Sequence, residues 1–392
     1  MSCDAFIFYV SDEEDDGESH GMPMSCDTFI FDVSDDDDTS PITLCTASTV
    51  GKNKKSSRRT SVAPKAQNRR MDAFVKHPPA VKREREECDD GRPTVVEIFA
   101  GAGGMSLGLE QAGFRHVALV ERNLECVNTL RANDFRHVIC SDASFEDYSG
   151  FAGADLVAGG PPCQPFSVAG VDKGADDDRD GWPTAIRAVR EIKPRAFLFE
   201  NVAGMMRDKF QAYRDNILKQ FHDLGYSVHI HVIDAADYGI AQHRRRLFMV
   251  GFEGVRWFRK PPPIEGEVTL RQALQALGPP NGLNDHVLHK ASPRAYGSHC
   301  GSSLDKPSKT LLAGSGGPGG GSNMFKKEDG TYRYYTLREM ARLQSFPDSY
   351  KVHKTWSRGM HQMGNACPPK LARLFAEEIL CVLGVRKRSV TA

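Results

Sequence analysis

The chain has 392 residues, enough for two or three domains, and its 40% hydrophobic and 26% charged residues are the balance of a soluble globular protein. No stretch approaches the roughly 18 apolar residues of a membrane span, and the acidic start is not a signal peptide. Ten cysteines without a Cys-x-x-Cys pair indicate neither a zinc site nor a disulfide framework, and they fit a reducing, intracellular compartment. A net charge of zero hides two opposite blocks. Residues 1–40 carry 13 Asp and Glu and no Lys or Arg, whereas residues 51–92 carry 13 Lys and Arg against 6 acids.

The first block holds an internal repeat. Ser2-Cys3-Asp4-Ala5-Phe6-Ile7-Phe8-Tyr9-Val10-Ser11-Asp12 returns as Ser25-Cys26-Asp27-Thr28-Phe29-Ile30-Phe31-Asp32-Val33-Ser34-Asp35. Two short β-prone runs with acidic flanks cannot build a core, so disorder is expected over residues 1–92. Such a run can add as a strand to a partner's sheet edge, and each copy resembles a SUMO-interacting motif; a solvated acidic tail is the alternative. Lys52 to Arg59 reads as a linker, a nuclear import signal or a non-specific nucleic-acid contact. Asn68 to Val75 loosely resembles a sliding-clamp binding box, with Asn for the usual Gln and Val for the second aromatic.

Order is expected to begin near Pro93. Thr94 to Phe99 reads as a strand, Ala100-Gly101-Ala102-Gly103-Gly104 as a glycine turn, and Met105 to Ala112 as a helix stopped by Gly113. His116 to Glu121 is a second strand ending in an acid, Leu124 to Asn133 a helix, and Val138 to Ser141 a third strand leading to Asp142. A glycine loop lets the backbone approach a ligand closely, an acid ending strand two can accept from ribose hydroxyls, and Asp142 can accept from an adenine amine. The layout therefore suits an adenosine-containing cofactor, though Glu121 and Asp142 can equally serve as helix caps or turn residues. The loop is neither the dinucleotide fingerprint nor a Walker loop.

A short apolar run from Ala154 to Ala158 then meets Gly159-Gly160-Pro161-Pro162, which forbids both helix and ladder. The turn presents Cys163 where an open α/β sheet places its chemistry. Ala196 to Val202 is a buried strand with Glu200 near its end, and Ser227 to Ile233 is another. Ala241 to Val250 reads as a strand in which Gln242, Arg244 and Arg246 share one face, or as a basic solvated patch. Residues 254–333 turn rich in Pro, Gly, Ser and His, with a glycine tract at 313–321. Thr336 and Glu339 form a capping box opening a helix to Leu343. Gly364-Asn365-Ala366-Cys367-Pro368-Pro369 reads as a turn before a last helix, Lys370 to Leu383.

With these pieces in order, the chain from about Pro93 to Leu383 resembles the DNA (cytosine-5) methyltransferases. The resemblance rests on Phe99-Ala100-Gly101-Ala102-Gly103-Gly104, Glu121, Asp142, Pro161-Pro162-Cys163-Gln164, Glu200-Asn201-Val202, Gln242-His243-Arg244-Arg245-Arg246, Arg342-Leu343-Gln344-Ser345-Phe346-Pro347 and Gly364-Asn365-Ala366. It does not cover residues 1–92 and is weak over 256–310. It implies an α/β fold, a Rossmann-like class I methyltransferase sheet with helices on both faces, plus a small loop-rich target-recognition domain. The implied domains are a disordered 1–92, a catalytic domain over 93–255 and 334–385, a target-recognition domain over 256–333 and a tail over 386–392.

The resemblance further implies S-adenosylmethionine as methyl donor and double-stranded DNA as substrate, with no metal. Catalytic roles fall to Cys163 as nucleophile, to Glu200 on N3 and the exocyclic amine of cytosine, and to Arg244 and Arg246 on O2 and neighbouring groups. Cofactor contacts fall to Phe99, Ala100, Gly101, Gly103, Gly104, Glu121, Asp142, Pro162 and Asn365. Residues 164–182 match the family's mobile loop. Arg122 stands where some members place an aromatic over adenine, and Cys367 where Val is common. Two alternatives stay open. One is a tRNA cytosine-5 methyltransferase, which typically has a Cys-Phe-Thr tripeptide absent here and Thr where Ser167 stands. The other is a catalytically silent chromatin-regulatory protein of the same fold. The basic tract points to the nucleus of a eukaryote, with a viral or bacterial origin as the alternatives.

Overall fold

The computed structural model describes residues 90–162, 180–280, 282, 285–295, 300–314 and 320–385. The repeats at 2–12 and 25–35, the basic run at 52–59, the box at 68–75, Cys163, residues 164–179 and the glycines at 315–319 lie outside the described residues.

A seven-stranded sheet forms the centre. In chain order its strands are β1 (Thr94–Ile98), β2 (Arg115–Glu121), β3 (Val138–Cys140), β4 (Leu156–Gly159), β5 (Ala196–Val202), β6 (Tyr226–Asp234) and β7 (Arg245–Glu253). They lie in the order β3-β2-β1-β4-β5-β7-β6. The first five are mutually parallel, and β7 runs antiparallel to both β5 and β6. The chain goes outward from β1 to β2 and β3, then returns to lay β4 on β1's other side. That reversal puts a crevice between the carboxyl ends of β1 and β4.

Both faces of the sheet are covered, which is why its inner strands read as continuous apolar runs. Val95, Leu156, Leu198 and Val250 face the helices α1 (Gly104–Ala112) and α8 (Pro369–Val382). Val96, Val157, Phe197 and Met249, one residue along each strand, face α3 (Trp182–Ile192) and α4 (Gln211–Asp223). In α8 the buried residues Leu371, Ala372, Phe375, Ala376, Ile379 and Leu380 recur at helical spacing. Phe375 stacks on Phe248 with ring centroids 4.3 Å apart. Burying such a ring contributes roughly 2–3 kcal/mol.

The helix α2 (Leu124–Ala132) connects β2 to β3. The remaining elements are α5 (Leu270–Gln275), a hairpin of β8 (Met324–Lys326) and β9 (Tyr332–Tyr334), α6 (Leu337–Leu343) and α7 (Trp356–Asn365). The Thr336–Glu339 capping box forms as the spacing requires. Leu270, Leu311 and Phe325 share one buried core with Leu337 and Met340, so the described part of 256–333 packs on the closing helices. Among the described residues, no helix is long and apolar enough to cross a membrane.

Two expectations need correction. The strand expected from Ala241 begins only at Arg245, because Gln242 and Arg244 turn into buried hydrogen bonds instead of joining the ladder. Gly364 and Asn365 end a helix rather than forming a turn. Gly364 is there for close approach: a Cβ would stand 2.3 Å from the Ala313 nitrogen.

Candidate active site

Parallel strands β1 to β5 bring their carboxyl ends to one edge. The loop after β1 turns sharply through left-handed backbone at Phe99 (φ 56°), Gly101 (φ 56°) and Gly103 (φ 85°). Phe99 is the strained member, since only its two partners are glycines. Phe99 is half-buried, while Ala100 is buried. The Gly101 N–H donates to Glu121 Oε2 at 2.8 Å, and the Asn123 N–H to Glu121 Oε1 at 2.6 Å. Glu121 is therefore not the cap of α2. That task belongs to Asn123, whose Oδ1 accepts from the Glu125 and Cys126 N–H groups. No atom stands within 4 Å of where a Gly101 Cβ would be, so the loop faces open space.

Asp142 follows β3 at the same edge. Its Oδ1 accepts from the Ser144 N–H and Oγ, and Arg122 donates to its Oδ2 at 3.1 Å. Burial would raise the Asp142 carboxyl, but these hydrogen bonds outweigh it and hold it below the usual carboxylate range. Turn chemistry thus engages Asp142 at this edge, with its side chain 32% exposed. Gly104, which opens α1, packs on the Gly364–Pro368 segment: a Cβ there would stand 2.1 Å from the Cys367 carbonyl oxygen. This contact brings the end of α7, which carries Asn365, beside the loop after β1. Its amide sits on the exposed last turn of α7, 3.2 Å from His361 Nε2.

The second half of the edge belongs to β4, β5 and β7. The turn after β4 is described through Pro162. The Asn201 amide donates to the Pro161 carbonyl at 3.2 Å, and the Gly181 N–H to the Pro162 carbonyl at 2.9 Å, so the peptides leading to Cys163 are held from both sides. Glu200 is 8% exposed, and its Oε2 would lie 3.6 Å from a Cβ on Gly160. Because β7 runs antiparallel, its first residues lie at the edge where β5 ends. Arg246 pairs with Val202 in the ladder, diagonal to Glu200, and its Nε stands 2.9 Å from Glu200 Oε1. Glu200 Oε1 is buried in this ion pair and accepts no aligned hydrogen bond.

Arg244 does not join this pair, which corrects the expectation that it shares a face with Arg246. Its side chain is 1% exposed and donates to the carbonyls of Leu311, Gly364 and Ala366. Gln242, fully buried, bridges the Leu343 carbonyl and the Leu311 N–H. Gln344 donates to the Met363 and Ala366 carbonyls, and Asn323 pairs with both backbone groups of Leu312. These four side chains form a buried polar junction tying the loop before β7 to α7.

The arrangement has known counterparts. A family model described as C-5 cytosine-specific DNA methylase matches residues 93–277 and 284–381. The chain is 36% identical over 313 residues to the Type II methyltransferase M.NgoMIV of Neisseria gonorrhoeae, covering 74% of this chain and 98% of that one. It is 32% identical over 309 residues to the Type II methyltransferase M.AplI of Arthrospira platensis, covering 74% and 86%. The fold recurs in the solved structure of the Entamoeba histolytica methyltransferase EhMeth, with a TM-score of 0.60 at 16% identity over 74% of this chain and 99% of that one. A putative DNA modification methyltransferase from an Escherichia coli prophage gives a TM-score of 0.57 at 24% identity, over the same shares.

Proposed function

The chain belongs to the C-5 cytosine-specific DNA methylases, and from that premise we propose that it transfers a methyl group from S-adenosylmethionine to C5 of a cytosine flipped out of double-stranded DNA. The observation that carries this reading is the pairing of buried Glu200 with Arg246 beside the anchored Pro161–Pro162 turn. Cytosine C5 is a weak nucleophile. Addition of the Cys163 thiolate to C6 makes C5 enamine-like and splits one hard step into easier ones. Glu200 holds N3 and the exocyclic amine, taking up charge as the adduct forms. Arg246 fixes that carboxylate and offers its remaining N–H groups to O2 of the base. Once C5 is methylated, a base removes the C5 proton and the C6–sulfur bond breaks, returning the thiolate. The reacting atoms are inaccessible in a stacked duplex, so the base must leave the helix.

S-adenosylmethionine would supply the methyl group. The residues present fit it: open space above Gly101, with Glu121 and Asp142 at the ends of adjacent strands. Glu121 suits the ribose hydroxyls and Asp142 the adenine amine. Phe99, Ala100, Gly103, Gly104, Pro162 and Asn365 complete the walls. Arg244 acts here through the junction it holds, not on the base.

Covalent trapping tests the proposal. The protein is mixed with S-adenosylmethionine and duplex DNA containing 5-fluorocytosine, beside a matching tRNA. Fluorine at C5 blocks the last elimination, so a working thiolate stays attached. A DNA adduct that vanishes in Cys163→Ala is expected. An adduct with tRNA alone moves the substrate to RNA, and none on either with the cofactor bound favours the silent regulatory reading. Nuclear residence belongs to the same proposal and rests on Lys52 to Arg59. A fluorescent fusion that stays outside the nucleus removes that part. The SUMO-like and sliding-clamp contacts rest on residues outside the described ones, and pulldown with Phe6, Ile7, Phe29 and Ile30 changed to Ala tests the first.

A further inference from the structure

The chain leaves the sheet at Pro161–Pro162, and Asp180–Gly181 opens the next described stretch. These two points meet. The Gly181 N–H donates to the Pro162 carbonyl at 2.9 Å, and the approach is so close that a Cβ on Gly181 would stand 2.4 Å from Pro162 Cδ. Pro162 is the residue before Cys163, so whatever holds Gly181 also holds the peptide that carries the thiol.

Two side chains hold it. Trp182 is fully buried against Phe199, ring centroids 5.8 Å apart, and anchors the start of α3 in the core. Asp180 accepts the Trp182 N–H on Oδ1 at 3.1 Å, and its Oδ2 accepts a hydrogen bond from the Tyr213 hydroxyl on α4. A phenol donating to a carboxylate is charge-assisted, shorter and about twice as strong as a neutral pair. The Tyr213 ring already packs against the sheet-facing core that α3 and α4 share. The ring thus packs on that core while the hydroxyl donates to Asp180.

We infer that Tyr213 is a positioning residue for the methyl-transfer reaction: through Asp180 it holds Gly181 against the Pro162 carbonyl, at the peptide bond that leads to Cys163. The inference rests on the reading of Cys163 as nucleophile. Positioning of this kind has large leverage, because a misplacement of about 1 Å at a reacting group can cost on the order of 100-fold in rate.

The test uses the full chain and three readouts: the rate of adduct formation with 5-fluorocytosine DNA, cofactor affinity by calorimetry, and the thermal midpoint. Tyr213→Phe keeps the ring and removes the hydroxyl. Its adduct rate should fall about ten-fold while cofactor affinity and thermal midpoint stay near those of the parent. Asp180→Ala should slow the reaction equally, Asp180→Asn should slow it less because an amide oxygen still accepts, and the double variant Tyr213→Phe with Asp180→Ala should be no slower than Asp180→Ala alone. A Tyr213→Phe protein that forms adduct at the parental rate overturns the inference, as do fully multiplicative losses in the double variant. A rate loss that tracks a fall in thermal midpoint overturns it too, since that is a structural role. An adduct that persists in Cys163→Ala removes the underlying reading of the nucleophile, a separate failure that the same gel displays.

Discussion

Arg246 Nε stands 2.9 Å from Glu200 Oε1, and the two meet only because β7 runs against its neighbours. In a wholly parallel sheet the first residues of β7 would lie at the opposite edge. Reversal brings a cation beside a buried carboxylate. Removal of either partner should therefore act on the reacting base. Glu200→Gln and Arg246→Ala should each lower single-turnover methyl transfer by roughly 100-fold or more, with cofactor affinity by calorimetry nearly unchanged. Equal losses in both quantities would place the pair on the cofactor side instead.

Arg244 should behave differently from Arg246 although the two are separated by one residue. Arg244→Ala strips hydrogen bonds from the buried carbonyls of Leu311, Gly364 and Ala366. Unsatisfied buried groups cost about 1–3 kcal/mol each, so a loss of several kcal/mol is expected in urea unfolding. A stable Arg244→Ala protein that had lost only its catalytic rate would restore Arg244 to the base.

Gly104→Ala tests the contact between the glycine loop and the end of α7. Its Cβ would meet the Cys367 carbonyl, which belongs to backbone and cannot swing away. Overpacking of this kind costs roughly 1–3 kcal/mol. The thermal midpoint should drop, and S-adenosylmethionine affinity should weaken with it if both sides of the contact border the crevice proposed for the cofactor.

Glu121→Ala removes the acceptor for the Gly101 N–H as well as the proposed ribose contact. Cofactor binding should weaken by at least about ten-fold, the loss of one to two charge-assisted hydrogen bonds. Thermal stability without cofactor should change much less. Calorimetry and a melting curve on the same sample separate the two.

A buried pair away from the crevice makes stability depend on pH. His116 Nε2 lies 2.9 Å from Glu97 Oε2, and its Nδ1 lies 3.5 Å from Glu110 Oε1. Burial alone would lower the imidazole, but the carboxylates of Glu110 and Glu97 outweigh it and hold its pKa above the ordinary value. A raised folded-state pKa favours the fold fully below about pH 6.5, and that contribution is lost as pH rises through the folded value. Urea midpoints should fall over that interval in the parent and fall less in His116→Gln. Parallel curves would mean that His116 stays neutral.

Local chemistry determined much of this protein in advance. Strands β1 to β6 stand within two residues of where their apolar runs put them, α1 stops at Gly113, and the Thr336–Glu339 box starts α6. These features depend on residues a few positions apart, and such neighbours are visible in a linear text. The helix α3 carries a readable signal as well, with Trp182, Ala185, Ile186, Val189 and Ile192 at helical spacing. The motif residues pointed to a chemistry most sharply at Cys163 and Glu200, whereas Glu121 and Asp142 read equally well as cap or turn residues.

Tertiary structure decided direction and partnership. Periodicity says that a stretch is a strand but not which way it runs, so the reversal of β7 had no local signature. Alternation assigned Gln242, Arg244 and Arg246 to one face because it presumed a strand. The chain turned the first two inward instead, toward carbonyls more than 60 positions away in sequence. Tyr213 gave no sign of its role for the same reason: its partner Asp180 lies on the far side of α3 in the chain. A buried donor takes whichever acceptor the fold brings to it, and only the folded chain fixes which one that is.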